Sequence, residues 1–367
     1  MRIVIAPDKF AGTLSAIEAA QAVAEGWQRV HPETETELVP LSDGGPGFVA
    51  VLHTALGGKV VSREVSGPLG TPVRADYLLD GETAYIESAQ ACGLHLLSAS
   101  ERAPTRTTSR GVGELIAHAV TDGARTVVVG LGGSATNDGG AGMLAALGAE
   151  PGSALAAGGA ALASLPGAVD LEPARRATAG ARLIAATDVD NPLLGLHGAS
   201  AVFGPQKGAD DDQVQRLDAA LAAFAEASDP SGTLRESPGA GAAGGLGYGL
   251  LLLGGAVESG VARVLTAVDL AARVASADLV ITGEGSFDSQ SLRGKLPHGV
   301  ARTAAEHGVP CVVTAGAVSV GRREAAAAGI TETCSLVESA GSTEAALARP
   351  TAELRDLAAS VARRWGH

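Results

Sequence analysis

The sequence predicts an α/β protein of two domains, a doubly wound parallel sheet interrupted by an inserted mixed α/β domain. Three observations carry that expectation. Short apolar runs at 2–6, 37–41, 279–282, 310–314 and 332–337 alternate with segments of helical periodicity. Between the second and third of these runs the chain changes character, starting with an alternating stretch over 58–90. A glycine-dense stretch, Gly-Leu-Gly-Gly-Ser-Ala-Thr-Asn-Asp-Gly-Gly-Ala-Gly over 130–142, follows the run Thr126-Val127-Val128-Val129 and precedes Met143-Leu144-Ala145-Ala146-Leu147, as a strand turning into a helix does.

The bulk numbers fit a globular enzyme. With 367 residues, 46% of them hydrophobic and 18% charged, the chain can bury a large core and is not disordered. A net charge of −13 argues against nucleic acid as a partner. Cys92, Cys311 and Cys334 form no C-x-x-C pair, and the eight histidines show no zinc-ligand spacing. Free thiols, the absence of a signal peptide ahead of Ile3-Val4-Ile5 and the lack of a membrane-length apolar run point to a cytoplasmic protein without a membrane partner.

Taken in order, strand 2–6 ends at Pro7-Asp8, and Ser15 with Glu18 forms a capping box for a helix carrying Leu14, Ile17, Ala20, Val23, Ala24 and Trp27 on one face. Strand 37–41 closes on Asp43-Gly44-Gly45-Pro46-Gly47. Residues 59–65, 73–79 and 83–87 read as an antiparallel meander with turns at Gly67-Pro68-Leu69-Gly70 and Asp80-Gly81. A hydroxyl- and cation-rich loop from Arg102 to Ser109 leads into a helix at about 111–121. Residues 154–181 are Ala/Gly-rich and read as a flexible excursion, and 182–187 is a strand ending at Asp188-Val189-Asp190-Asn191-Pro192. Phe203-Gly204-Pro205-Gln206-Lys207-Gly208 is a rigid turn expected to expose its lysine, ahead of a helix led by Asp210, Asp211 and Asp212. Strand 279–282 ends in Gly283-Glu284-Gly285, with Asp288, Gln290, Ser291 and Lys295 following.

Right-handed crossovers arrange the five β units in the flavodoxin-like order 2-1-3-4-5, with residues 1–65 and 271–367 as one domain and 66–270 as the insertion. The turns after the first and third strands then flank the topological switch point, where ligands bind. An active cleft is expected between the two domains. Carboxylates recur at strand ends (Asp8, Asp43, Asp138, Asp188, Glu284, Asp288) beside few cations (Lys9, Lys207, Lys295, Arg102) and glycine-rich amides. That combination suits a Mg²⁺-nucleotide, since hard oxygens hold the metal and lysines neutralise phosphates. In the 130s stretch six glycines admit close backbone approach, while Ser134, Thr136, Asn137 and Asp138 supply polar groups at a helix start, a design suited to an anion. Matches to G-x-G-x-x-[GA] at Gly130–Ala135 and at Gly239, Gly241 and Gly244 are weak, because neither has the strand and acidic-residue context of a dinucleotide site.

These residues together resemble the type I glycerate kinases. The family's motifs occur in the same order as Ala6-Pro7-Asp8-Lys9-Phe10, Asp43-Gly44-Gly45, Gly67-Pro68-Leu69-Gly70, Gly111 to Ile116, Gly132 to Gly142, Ala186 to Leu193, Phe203 to Ala209 and Ile281 to Lys295. The resemblance spans essentially the whole chain. It implies a flavodoxin-like domain with an inserted, restriction-enzyme-like one, and the phosphorylation of D-glycerate by ATP with Mg²⁺, at the 2-hydroxyl rather than the 3-hydroxyl. Three polar positions depart from the family pattern: Ala11 for lysine, Pro46 for glutamate and Ser286 for arginine.

The roles expected on this basis are Asp188 as proton acceptor, and Asp8, Glu284 or Asp288 on Mg²⁺. Lys207 and Lys295 would neutralise phosphates, and Arg102 or Lys9 would pair with the glycerate carboxylate. Asp43, Gly132, Gly133, Ser134, Thr136, Asn137, Asp138, Gly283, Gly285, Gln290 and Ser291 complete the expected nucleotide and substrate contacts. A monomer and a homodimer are both compatible with the sequence. Two rival readings are a nicotinamide-dependent oxidoreductase and a metabolite sensor without turnover.

Overall fold

The computed structural model describes residues 1–10, 12–292 and 294–366; Ala11, one of the three departures, lies outside the described residues. Eleven strands run through it in chain order: β1 (Arg2–Ile5), β2 (Glu35–Leu38), β3 (Lys59–Ser66), β4 (Pro72–Asp80), β5 (Thr83–Glu87), β6 (Thr126–Gly130), β7 (Arg182–Ala186), β8 (Ala256–Glu258), β9 (Leu279–Phe287), β10 (Cys311–Val318) and β11 (Glu332–Ser335). They form two sheets, and the chain divides into two compact units. Unit one is Met1–Asp43, Ala50–Leu56 and Val261–His367; unit two is Gly44–Val49 and Gly57–Gly260.

In unit one the sheet order is β2-β1-β9-β10-β11 with every neighbouring pair parallel, which is the expected 2-1-3-4-5 arrangement. Ile3, Val4 and Ile5 are wholly buried, as a central parallel strand covered on both faces requires. The helix Ala16–Gln28 starts on the predicted capping box, Glu18 N donating to Ser15 Oγ at 3.2 Å and Ser15 N to Glu18 Oε2 at 2.8 Å. Gly26 lets this helix touch the helix Pro350–Trp365, for a Cβ there would stand 2.1 Å from the Arg355 carbonyl oxygen. Two elements differ from expectation. β2 begins and ends earlier than 37–41, although the Val39 and Leu41 amides still donate to the Ile5 and Pro7 carbonyls at 2.8 and 2.9 Å. β9 does not stop at Thr282 but continues to Phe287, pairing Gly283 with Thr314 and Glu284 with Ala315.

Unit two holds a six-stranded sheet, β3-β4-β5-β6-β7-β8, antiparallel through β5 and parallel from β5 onward. β3 belongs here because it pairs with β4 along its whole length. The expected excursion at 154–181 is folded: short helices at Gly152–Leu155 and Glu172–Ala177 flank a 3-10 turn at Gly159–Ser164, and Leu155, Leu162, Leu171 and Ala174 enter the core. Elements of four to six residues are too short to display a helical period. Three-residue β8 escaped notice for the same reason. None of the helices is long and apolar enough to cross a membrane among the described residues.

Candidate active site

In unit one, β1 and β9 are neighbours on either side of which the chain winds in opposite directions; Asp8 follows β1, and Glu284 lies in β9 beyond the part that pairs with β1. The Asp8 amide donates to the Gly283 carbonyl at 2.8 Å, so the two strands remain in contact beyond their ladder. Gly283 must be small here: a Cβ would stand 2.2 Å from the Thr314 carbonyl oxygen, and a Cβ on Gly316 would stand 2.4 Å from the Gly285 carbonyl oxygen. Gly283 and Gly316 serve strand packing.

Asp8 is 8% exposed. Burial, and then the nearby Asp43 charge, push its pKa up to about 7, against the opposing charge of Lys9. Lys9 bridges the two carboxylates, its Nζ 2.9 Å from Asp43 Oδ1 and 3.6 Å from Asp8 Oδ1, and its backbone N–H donates to Asp8 Oδ1 at 2.7 Å. Burial works to lower the Lys9 pKa, but Asp43 and Asp8 outweigh it and the value rises. Glu284 is also 8% exposed, and its Oε1 is buried without a hydrogen-bond partner. Burial raises its pKa; Ser291 and Lys295 oppose the rise, while Asp288 and Asp43 add to it. Asp288 Oδ1 accepts from the amides of Gln290 at 2.8 Å and Ser291 at 3.2 Å, so this carboxylate shapes its own turn. Gln290 and Ser286 are exposed, Ser291 is buried, and half-buried Lys295 starts the helix Leu296–Glu306.

In unit two the 130s stretch is committed inward. A Cβ on Gly130 would stand 2.4 Å from the Gly44 carbonyl oxygen, one on Gly132 2.4 Å from Gly45 Cα, and one on Gly133 2.8 Å from Pro46 Cγ. Gly139, Gly140 and Gly142 meet Phe224, Gly249 and Thr108 as closely. The six glycines therefore let chain segments of this unit touch one another. Thr136, Asn137 and Asp138 are fully buried and Ser134 nearly so, which corrects the expectation that they face an anion. Asp138 Oδ2 accepts from Ser109 N (2.7 Å), Ser109 Oγ (2.8 Å) and Gly142 N (3.2 Å), and Oδ1 from Gly140 N (3.2 Å). Burial raises its pKa against those bonds. Asn137 donates to Ser200 Oγ at 2.9 Å, and its buried Oδ1 has no partner. Half-buried Gly132 and exposed Gly133 are the open part of the stretch.

Lys207, expected on the surface, is 2% exposed and donates to the Thr136 carbonyl at 2.7 Å. Burial pushes its pKa down to about 8 despite the opposing influence of Cys92 and Asp138. The turn buries its lysine because Lys207 ends a 3-10 turn directed at the 130s segment, a tertiary fact no local pattern displays. Arg102 is exposed. Asp188 is exposed at the end of β7, and Ser259 Oγ donates to its Oδ1 at 2.5 Å. Sequence reasoning passed over Glu87, a 4% exposed carboxylate ending β5 whose Oε2 accepts from the Gly47 amide at 3.0 Å. It also passed over Ser259. An acidic residue closing a strand was the available signal for Glu87; Ser259 offered none.

The full length of the chain has known relatives. The model of the glycerate kinase family matches residues 3–366. The chain is 44% identical over 374 residues to the glycerate kinase of Bacillus subtilis (strain 168), covering 98% of each. It is 43% identical over 328 residues to the glycerate 2-kinase of Escherichia coli (strain K12), covering 87% of this chain and 86% of the relative. A crystal structure described as glycerate kinase 2 from Salmonella typhimurium LT2 is similar with a TM-score of 0.81 and 40% identity, covering 99% of this chain and 98% of the other.

Proposed function

The chain belongs to the glycerate kinase family and is a kinase, and from that premise we propose that it transfers the γ-phosphoryl group of ATP to the 2-hydroxyl of D-glycerate, forming 2-phospho-D-glycerate. The name of the Escherichia coli relative supports the 2-position over the 3-position. The observation that carries the reading is the cluster of Asp8 and Lys9 after β1, Asp43 after β2 and Glu284 in β9. Buried like charges of this kind call for a cation, and phosphoryl transfer uses one.

Among the described residues no group of three or more His, Cys, Asp or Glu side chains is arranged to hold a metal ion by itself. Mg²⁺ does not need such a cage: it commonly takes one or two carboxylates and completes its shell with phosphate oxygens and water. The partnerless Glu284 Oε1 and the carboxylate of Asp8 fit that donor set. Asp288 fits less well, since two amides already use its Oδ1. Bound there, Mg²⁺ would neutralise charge on the transferring phosphoryl group.

Lys9 and Lys295 are the cations placed to attract phosphate oxygens. Exposed Arg102 has the planar fork that a carboxylate such as glycerate's accepts. Asp188, held by the Ser259 hydroxyl, takes the proton from the attacking hydroxyl. Exposed Gly133 offers its backbone to substrate oxygens, whereas the Gly132 amide is already given to the Gly44 carbonyl at 3.3 Å. A coupled assay with ATP, Mg²⁺ and D-glycerate tests the activity, and phosphorus NMR of the product tests the position. Turnover yielding the 2-phosphate is expected; a 3-phosphate product sinks the regiochemistry, and binding without turnover sinks the activity.

A further inference from the structure

The carbonyl oxygen of Thr136 accepts one side-chain hydrogen bond and packs against the backbone of Gly244. Lys207 Nζ donates to it at 2.7 Å, and it also lies 1.9 Å from where a Cβ on Gly244 would stand. Gly244, at φ +72°, belongs to a left-handed run, Ala243 to Gly245, that interrupts the segment Ala242–Leu252. Its carbonyl accepts from the Gly139 amide at 3.0 Å. Asp138, whose charge faces Lys207, gathers the amides of Gly140 and Gly142 and both donors of Ser109. The lysine and the aspartate thus hold the same short piece of backbone, 136–142, and the exposed Gly133 lies three residues ahead of it.

Stability alone does not account for this arrangement. Replacing buried charges of opposite sign by neutral groups of similar volume is often neutral or stabilising, so Lys207 and Asp138, coupled as charges without a direct contact, contribute geometry more than net free energy. We propose that Lys207 is a positioning residue: with Asp138 it fixes the turn in the shape that presents the exposed Gly133 backbone to an oxyanion of the substrate. The substrate half of this statement rests on the glycerate kinase reading above. Lys207 itself, sealed from solvent, touches neither substrate nor nucleotide.

The test uses the full chain as wild type, Lys207→Met, Lys207→Gln and the double variant Lys207→Met/Asp138→Asn. Each is followed by thermal melting, steady-state kinetics for D-glycerate and hydrogen exchange of peptides covering 130–143. Lys207→Met is expected to melt lower, because one charge is left alone in the interior. The double variant is expected to regain a melting temperature within about 3 °C of wild type, yet to keep kcat/KM at least about tenfold low. Its exchange should be faster in 130–143 and unchanged elsewhere.

A purely structural lysine gives the opposite pattern, activity returning with stability. Recovery of kcat/KM to within about threefold in the double variant overturns the proposal, as does wild-type exchange in 130–143. Should the double variant fail to fold, Lys207→Gln decides: it keeps a donor for the Thr136 carbonyl and should retain more activity than Lys207→Met, and equal activity overturns the proposal. Should wild type prove unable to phosphorylate glycerate, the functional reading fails, and the exchange measurement still decides whether Lys207 orders the turn.

Discussion

Lys9 Nζ donates to Asp43 Oδ1 at 2.9 Å, joining the residues that follow β1 and β2 and setting a cation beside two carboxylates that would otherwise repel. Partly exposed ion pairs add little to stability. The consequence of removing this lysine is therefore catalytic. Lys9→Met should lower kcat/KM by about 100-fold while moving the melting temperature by less than about 3 °C. Coupled kinetics and a melting scan check this; unchanged kinetics would remove Lys9 from phosphate or carboxylate recognition.

Asp8 gives a pH signature in the absence of nucleotide. Its pKa in the fold is about 7 against an ordinary 3.8, so between those values the native state holds more protons than the unfolded chain. With that sign, the contribution of Asp8 to stability is full below the lower value and is lost as pH rises through 7. Asp8→Asn should melt higher than wild type at pH 8 and converge with it near pH 4. Parallel curves of melting temperature against pH, recorded in chelator, would contradict the shift.

Asp188→Asn separates chemistry from folding. The side chain is exposed and accepts from the Ser259 hydroxyl, so stability should hold while kcat falls by about 10² to 10⁴. Turnover near wild type would transfer the role of base to another carboxylate.

Asp138→Ala should behave in the reverse manner. It leaves four buried donors without their acceptor, a loss of about 3–5 kcal/mol measurable by urea unfolding. An Asp138→Ala protein as stable as wild type would mean that the 136–142 turn is held by something else.

These contrasts mark what could be read from the sequence. The unit-one sheet was legible because β1, β9 and β10 carry apolar cores, helical segments separate the five strands, and right-handed crossovers leave few orders open for β2-β1-β9-β10-β11. Asp8 and Glu284 were legible as strand-end carboxylates in that order. The purpose of the 130s glycines was not. A glycine needed for close packing and one needed for a ligand look alike in a sequence, and only Gly44, Pro46, Phe224 and Gly249 standing against them decides. Lys207 was misplaced because burying a lysine contradicts composition rules and depends on a partner, Thr136, 71 residues away. Gly283 and Gly285 looked like a turn, since glycine is poor in strands unless another backbone passes close by, as β10 does.

The connectivity of the two sheets dictates an order of assembly during synthesis. Strands β3 to β8 are consecutive, so the second sheet can close as soon as β8 leaves the ribosome. β1 has only β2 for company until β9 emerges, and a two-stranded parallel pair does not persist in water. The newborn amino-terminal 43 residues are thus a client that waits through some two hundred residues of translation. Chains halted before β9 should resist protease within 57–260 and be cut within 1–43; protection of both segments would show that the first strands find shelter early.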